Sequence, residues 1–431
     1  MDFMATAINC FWLFLGGILV FLMQTGFTMV EAGFTRSKNT GNIIMKNIVD
    51  FMFGSIIYWI IGYGLMYGEG NGFIGIPFGG MFLNGTAGAQ GVDYTTLFFQ
   101  TVFCATSATI VSGAMAERTK FSAYCFYSAM ISLFIYPIAG HWVWGGGFLS
   151  ELGFHDFAGS GIVHMLGGVL SFVGAAILGP RIGKYDKKGN ARAIPGHSMI
   201  LGALGVLLLW VGWFGFNPAS TGALVTVSED GRTVIDALGT MIAAKVFITT
   251  NLGACAAAVT AMFFTWIRYG KPDVSMTLNG VLAGLVAITA PCDCVSPLAS
   301  IIIGAVGGAL VCIAVPFIDT KLKVDDPVGA ISVHGICGLW GCIAVGLFSS
   351  DPDSGVAMGL FHGGGMSQLG PQLIGVAVLI VWAAAMGGIL FGALKALGKL
   401  RASARDELAG LDATEHGLPS AYPDFMPAYK D

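Results

Sequence analysis

A chain of 431 residues that is 55% hydrophobic, only 11% charged and close to neutral overall (net charge −4, mean hydropathy +0.76) cannot cover a soluble surface of that size. This excludes a set of soluble domains, which length alone would allow. The absence of short alternating apolar segments argues against a β-barrel.

Taken in chain order, windows free of Asp, Glu, Lys and Arg fall at 3–30, 51–68, 94–116, 121–140, 157–180, 197–228, 246–267, 274–292, 294–318, 327–350 and 354–394. A helix needs roughly 20 apolar residues to cross the hydrocarbon core, and these windows meet or approach that length. The expected fold is an all-α integral membrane protein with eleven transmembrane helices. The first window lacks a basic n-region and runs into Glu31 and Arg36, so it reads as a membrane helix and not as a cleaved signal. The 64 glycines suit a membrane bundle, in which small residues let backbones approach closely. The polar segment 399–431 reads as a separate tail, and 1–398 as the transmembrane domain.

Basic residues set the orientation. With eleven helices, 19 of the 21 Lys and Arg residues fall on one side, including Arg36, Lys38 and Lys46 after the first window and five residues after the fifth. The positive-inside rule makes that side cytoplasmic, with the N-terminus outside and the C-terminus inside. Arg232 falls on the other side, and Lys245 falls within the seventh helix, where snorkelling toward the outer surface is the simplest reading. The outer loops carry an acidic excess that includes Glu69, Asp93, Asp156, Asp293 and Asp351, which would concentrate cations or simply keep the loops soluble.

Two segments match. Gly159-Ser-Gly-Ile-Val-His164-Met-Leu-Gly-Gly168 in the fifth window parallels Gly329-Ala-Ile-Ser-Val-His334-Gly-Ile-Cys-Gly338 in the tenth. An odd number of helices per repeat inverts the second half, giving a 5+5 inverted repeat plus a final helix. Such repeats place substrate sites near the midplane. An ionisable group inside the membrane is costly, so His164 and His334 are functional candidates. Facing imidazoles could hydrogen-bond a small polar solute or relay a proton. The alternatives are a pair of packed, satisfied histidines, or a metal site, which would need a third ligand.

Aromatic residues cluster near the outer helix ends: Trp142 and Trp144, Phe99 and Phe103, then Trp210, Trp213, Phe214 and Phe216. An interfacial belt accounts for most of them, although aromatic faces also attract a cation leaving water. Most of the nine cysteines lie in apolar windows and read as small hydrophobes. Cys292 and Cys294 form a single C-x-C, a weak metal signal.

The stretches Asp325-Asp-Pro-Val-Gly-Ala-Ile-Ser-Val-His334-Gly-Ile-Cys-Gly-Leu-Trp-Gly341, Asp156-Phe-Ala-Gly-Ser-Gly-Ile-Val-His164, Gly212-Trp-Phe-Gly-Phe-Asn217, Ala116-Glu-Arg118 and Val143-Trp-Gly-Gly-Gly147 resemble the Amt/Rh family of ammonium transporters, specifically its Amt branch. The resemblance implies an ammonium transporter or channel in the cytoplasmic membrane, multi-pass and not an enzyme, with ammonium and its analogue methylammonium as solutes. It implies an outer recruitment site of Trp144, Phe103, Ser220 and Asp156, a gate of Phe103 and Phe216, and pore histidines His164 and His334. Trp213, Phe99 and Tyr136 would line or shape the pore. It implies a homotrimer, no catalytic residue, no metal, no cofactor and no nucleic-acid partner. The tail motif Gly410-Leu-Asp-Ala-Thr-Glu-His-Gly417 implies coupling to a PII-type nitrogen-signalling protein, although Leu418 stands where the family carries an acid. Two competing readings are an ammonium sensor that conducts little and a membrane enzyme built on a His or Cys metal site.

Overall fold

The computed structural model describes residues 3–76 and 91–422. Lys430 lies outside the described residues, as does the side chain of Asp93. Among the described residues ten helices are long and apolar enough to cross a membrane: α1 (Phe3–Phe34), α2 (Ser37–Tyr67), α3 (Tyr94–Ala114), α4 (Phe121–Leu152), α5 (Ser160–Leu178), α6 (Met199–Thr221), α7 (Ala237–Tyr269), α9 (Pro297–Leu322), α10 (Ile331–Phe348) and α11 (Met366–Ala396). The eleventh, α8 (Val274–Thr289), has only 16 residues, and irregular turns extend it. Residues 290–295 of those turns are all buried, so they meet protein and not lipid. The molecule is therefore a multi-pass membrane protein with the eleven helices expected from hydropathy.

Exposed large apolar residues, such as Phe11, Ile18, Ile200, Val381 and Ile389, cover α1, α6 and α11, the surface that lipid would solvate. The centre is α3, 83% of whose apolar window is buried, against 28% for α1. An outer connection carries a short hairpin, β1 (Val225–Val227) with β2 (Thr233–Ile235), where the sixth charge-free window had run on to 228. On the cytoplasmic side two short helices, α12 (Ala404–Ala409) and α13 (Leu411–His416), form the tail.

The internal repeat is visible in the backbone. Asp156 accepts from the amides of Gly159, Gly161 and Ile162 at 2.9–3.0 Å. Asp326, 170 residues later, accepts from Gly329 (3.0 Å) and Ile331 (2.7 Å). Each carboxylate thus satisfies the orphan donors at the start of a histidine-bearing helix. Gly159 (φ 115°) and Gly329 (φ 81°) take the left-handed turn that this cap requires. Both histidines then sit in a π-helical turn, Ser160–Met165 and Ile331–Ile336, a widening often found at functional sites.

α5 and α10 cross backbone to backbone. A Cβ at Gly168 would lie 2.2 Å from the Gly335 nitrogen, and one at Gly338 would lie 2.4 Å from the Ser160 oxygen. No flexible side chain can yield there, so Gly168→Val should force the helices apart. Overpacking of this kind typically costs about 1–3 kcal/mol. Size-exclusion chromatography of the purified variant should show loss of monodisperse protein. A variant that is recovered like wild type would contradict this account of the crossing.

One sequence expectation is corrected here. Lys46 does not belong to a loop. It lies inside α2 with Asp50, both fully buried, and Glu31 of α1 is 2% exposed. The three form a polar cluster inside the bundle. The Ser112 hydroxyl donates to Glu31 (2.8 Å), those of Thr109 and Ser128 donate to Asp50, and Lys46 sits over the Tyr124 ring. These hydrogen bonds, with that of Lys46 to the Ser112 carbonyl (3.4 Å), offset part of the desolvation that made a loop the expected place for these charges.

Candidate functional site

A continuous ladder of rings descends from the outer side into the core. Trp144, half-buried at the end of the first part of α4, meets Phe103 of α3 edge-on at 6.2 Å. Phe103 stacks on Phe216 of α6 at 3.9 Å and 20°. Phe216 lies 5.5 Å from the ring of His164 on α5, and His164 stacks at 5.2 Å on His334 of α10. Below, His334 approaches Phe27 of α1 at 6.1 Å. Phe103, Phe216 and His164 are at most 1% exposed, and His334 4%. Six helices thus contribute to one column that residue spacing alone could not assemble.

The histidines meet through Nδ1 atoms 3.2 Å apart. One nitrogen must donate and the other accept, so the neutral rings hold opposite tautomers. One Nε2 then carries a proton and the other a lone pair. His164 Nε2 is buried without a protein hydrogen-bond partner, an unsatisfied polar atom inside the column. Trp213 stacks on His164 at 5.1 Å and is fixed in turn, its indole donating to Thr289 at 2.8 Å. Beneath the pair is a slender cavity lined by Phe27, Val30, Ile110, Leu209, Val333 and His334, with Glu31 as its one carboxylate. Sequence reading missed Glu31. The signal available was its place at the edge of the first window, in a helix that proved to run on to Phe34.

The other predicted residues fall as follows. Asp156 is fully engaged by backbone amides, and its carbonyl accepts the Trp144 indole at 2.7 Å, so it orders the outer end and holds Trp144. Burial raises its carboxyl above the ordinary range, while the three amide donors oppose that shift. Phe99 is buried against Phe103 at 4.6 Å. Ser220 lies in the short turn after Phe216 and donates to the Phe216 carbonyl at 2.8 Å. Tyr136 is buried against Tyr58 at 6.3 Å, beside the ladder and not within it. Lys245 forms an ion pair with Asp351 on the outer connection between α10 and α11, the snorkelled position expected of it.

A family model described as "Ammonium Transporter Family" matches residues 11–421. The chain is 45% identical over 435 residues to ammonium transporter Amt2 of Archaeoglobus fulgidus, covering 96% of this chain and 88% of that one. It is 41% identical to ammonium transporter 1 member 1 of Arabidopsis thaliana, covering 90% and 80%. Among solved structures it resembles one named "Sensor Amt Protein" with a TM-score of 0.87 at 38% identity (96% of this chain, all of that one). It also resembles Candida albicans Mep2 with a TM-score of 0.82 at 25% identity (93% and 87%). With the model spanning nearly the whole chain and relatives this similar along their length, the chain belongs to the Ammonium Transporter Family.

Proposed function

We propose that this protein transports ammonium, and methylammonium as an analogue, across the cell membrane through the column between α5 and α10. The observation that carries the reading is the unbroken ladder from Trp144 to the histidine pair. A bare ion entering an apolar path loses hydration worth far more than any single contact. Trp144 and Phe103 can return part of it through their ring faces, about 0.5–2 kcal/mol each. The stacked Phe103 and Phe216 close the way below, so passage requires those rings to move. Ammonium can lower the remaining cost by giving up its proton, because neutral ammonia is cheap to desolvate. Potassium has no such route. The histidine pair then offers a donor and an acceptor to the neutral solute, or a path for the proton. Asp156, Phe99, Trp213 and Ser220 shape this site, and Tyr136 supports α4 beside it. The role is that of a transporter and not of an enzyme.

The motif resemblance carries two further parts of the proposal: assembly as a homotrimer, and a regulatory tail at 399–431 that a PII-type protein reads. The tail is already docked. The Asp412 carboxylate accepts from the amides of Gly41 (3.0 Å) and Asn42 (2.8 Å) at the start of α2, and Lys38 donates to the carbonyls of Glu407 and Leu408. A second reading, an ammonium sensor, draws on the likeness to the solved Sensor Amt Protein. Uptake separates the two. Cells lacking their own ammonium uptake and expressing this protein should accumulate labelled methylammonium above the empty-vector level, with ammonium competing. Protein inserted in the membrane without accumulation would overturn the transport reading and favour the sensor.

A further inference from the structure

We propose that His155, Asp293 and Cys294 form a binding site for a divalent transition-metal ion on the outer face, with Zn2+ the best chemical match. His155 lies in the connection between α4 and α5, and the other two residues lie in the connection between α8 and α9. His155 Nε2 is 3.1 Å from an Asp293 carboxylate oxygen, and one ligand atom from each of the three residues lies within 4.8 Å of the others. Imidazole, carboxylate and thiolate together are a borderline-soft ligand set that suits zinc. With bonds of about 2.0–2.3 Å, tetrahedral ligands sit roughly 3.3–3.8 Å apart, so the triad need close by only about 1 Å.

The surroundings hold these side chains in place. Gln372 of α11 grips the His155 backbone on both sides, accepting from its amide (2.7 Å) and donating to its carbonyl (2.8 Å). The Cys294 carbonyl accepts from the amides of Ser350 (2.9 Å) and Asp351 (3.2 Å). Asp293 and Cys294 are nearly or fully buried, whereas the His155 side chain is 24% exposed, which leaves that side for entry and for a water as fourth ligand. The charged groups around the triad are Asp156, beside His155, and Lys245, near Cys294, whose charge Asp351 balances. Binding breaks the His155–Asp293 hydrogen bond, and the Nε2 proton passes through solvent to Nδ1 so that Nε2 offers its lone pair. The Cys294 S–H bond breaks, the metal–sulfur bond forms with the thiol's electron pair, and the thiol proton leaves to solvent with no change of oxidation state. The ion ties two outer connections together one residue before Asp156, whose carbonyl holds Trp144.

Cobalt(II) titration of the purified full-length protein in lipid nanodiscs tests the proposal, because cobalt–thiolate charge transfer absorbs where the apoprotein does not. The expected result is one cobalt per chain with a charge-transfer band, displaced by Zn2+. Cys294→Ser should abolish the band, and His155→Gln and Asp293→Asn should weaken affinity at least tenfold. Cys292→Ser should keep the band. The partly exposed His155 makes His155→Gln decisive should Cys294→Ser fail to fold. No band in the wild type, a band that survives Cys294→Ser, or affinity unchanged in His155→Gln would overturn the site. None of these readouts depends on transport.

Discussion

Asp325→Asn is expected to destabilise the folded protein by roughly 3–5 kcal/mol, the usual cost of removing one charged partner from a buried ion pair. Asp325 lies just before α10 with its side chain fully buried, and Arg181, just after α5, is 2% exposed. The guanidinium grips both carboxylate oxygens at 2.9 Å, and the Arg181 amide adds a third bond at 2.8 Å. Arg181 also pairs with buried Glu117, which Arg36 holds from α1's end of the network. Glu117 keeps a left-handed backbone (φ 73°), a conformation that such a network can enforce on a residue other than glycine. Removing the Asp325 charge therefore leaves Arg181 with Glu117 as its remaining carboxylate partner and loosens the cytoplasmic junction between the two repeats.

The pH dependence follows from the same pair. Burial works against the Asp325 charge, but the Arg181 hydrogen bond and the positive charges of Arg118 and Arg181 outweigh it and hold the carboxyl well below its ordinary range. A depressed folded-state value means the contribution is complete above the unfolded value, about pH 4, and is lost only as pH falls below that. Thermal unfolding of the wild type should therefore show no loss from this pair between neutral pH and about pH 5. The Asn variant should unfold at markedly lower temperature there, with a shallower decline in acid. Equal transition temperatures at pH 7 would refute the assignment.

His164→Leu and His334→Leu are expected to reduce ammonium flux by roughly ten- to a hundredfold, the equivalent of losing a hydrogen bond worth about 1.5–3 kcal/mol to a charged or strongly polar solute. Leucine is close to imidazole in bulk, so the helices should pack normally while the donor and acceptor disappear. Because the two Nδ1 atoms share one proton, either substitution unpairs the other ring. The double variant should therefore cost less than the sum of the singles, as coupled neighbours do. Initial rates in vesicles of matched protein content check this. Strictly additive losses would mean the rings act separately.

The histidines were legible in the sequence because each is an isolated ionisable residue in an apolar window and the two share a repeat offset. Orientation was legible because the basic residues lie so unevenly. The capping pair Asp156 and Asp326 stands at the same offset but was not recognised as a repeat feature, since hydropathy windows treat a charge only as a boundary. The same blindness placed Lys46 in a loop and missed the buried Glu31, Lys46 and Asp50, whose burial depends on partners from α3 and α4. The stacking of Phe103 on Phe216 depends on where α3 and α6 meet, and no local pattern encodes that. Lys245 could be placed from its reach, but its partner Asp351 comes from a distant connection.

Reconstitution into liposomes under an inward ammonium gradient tests the central claim most directly. The expected result is a saturable ammonium-dependent flux or current above that of empty vesicles, no comparable response to a potassium gradient, and a marked reduction in the His164→Leu/His334→Leu protein. Well-folded wild-type protein that gives no ammonium response, or a double variant that conducts like wild type, would contradict it.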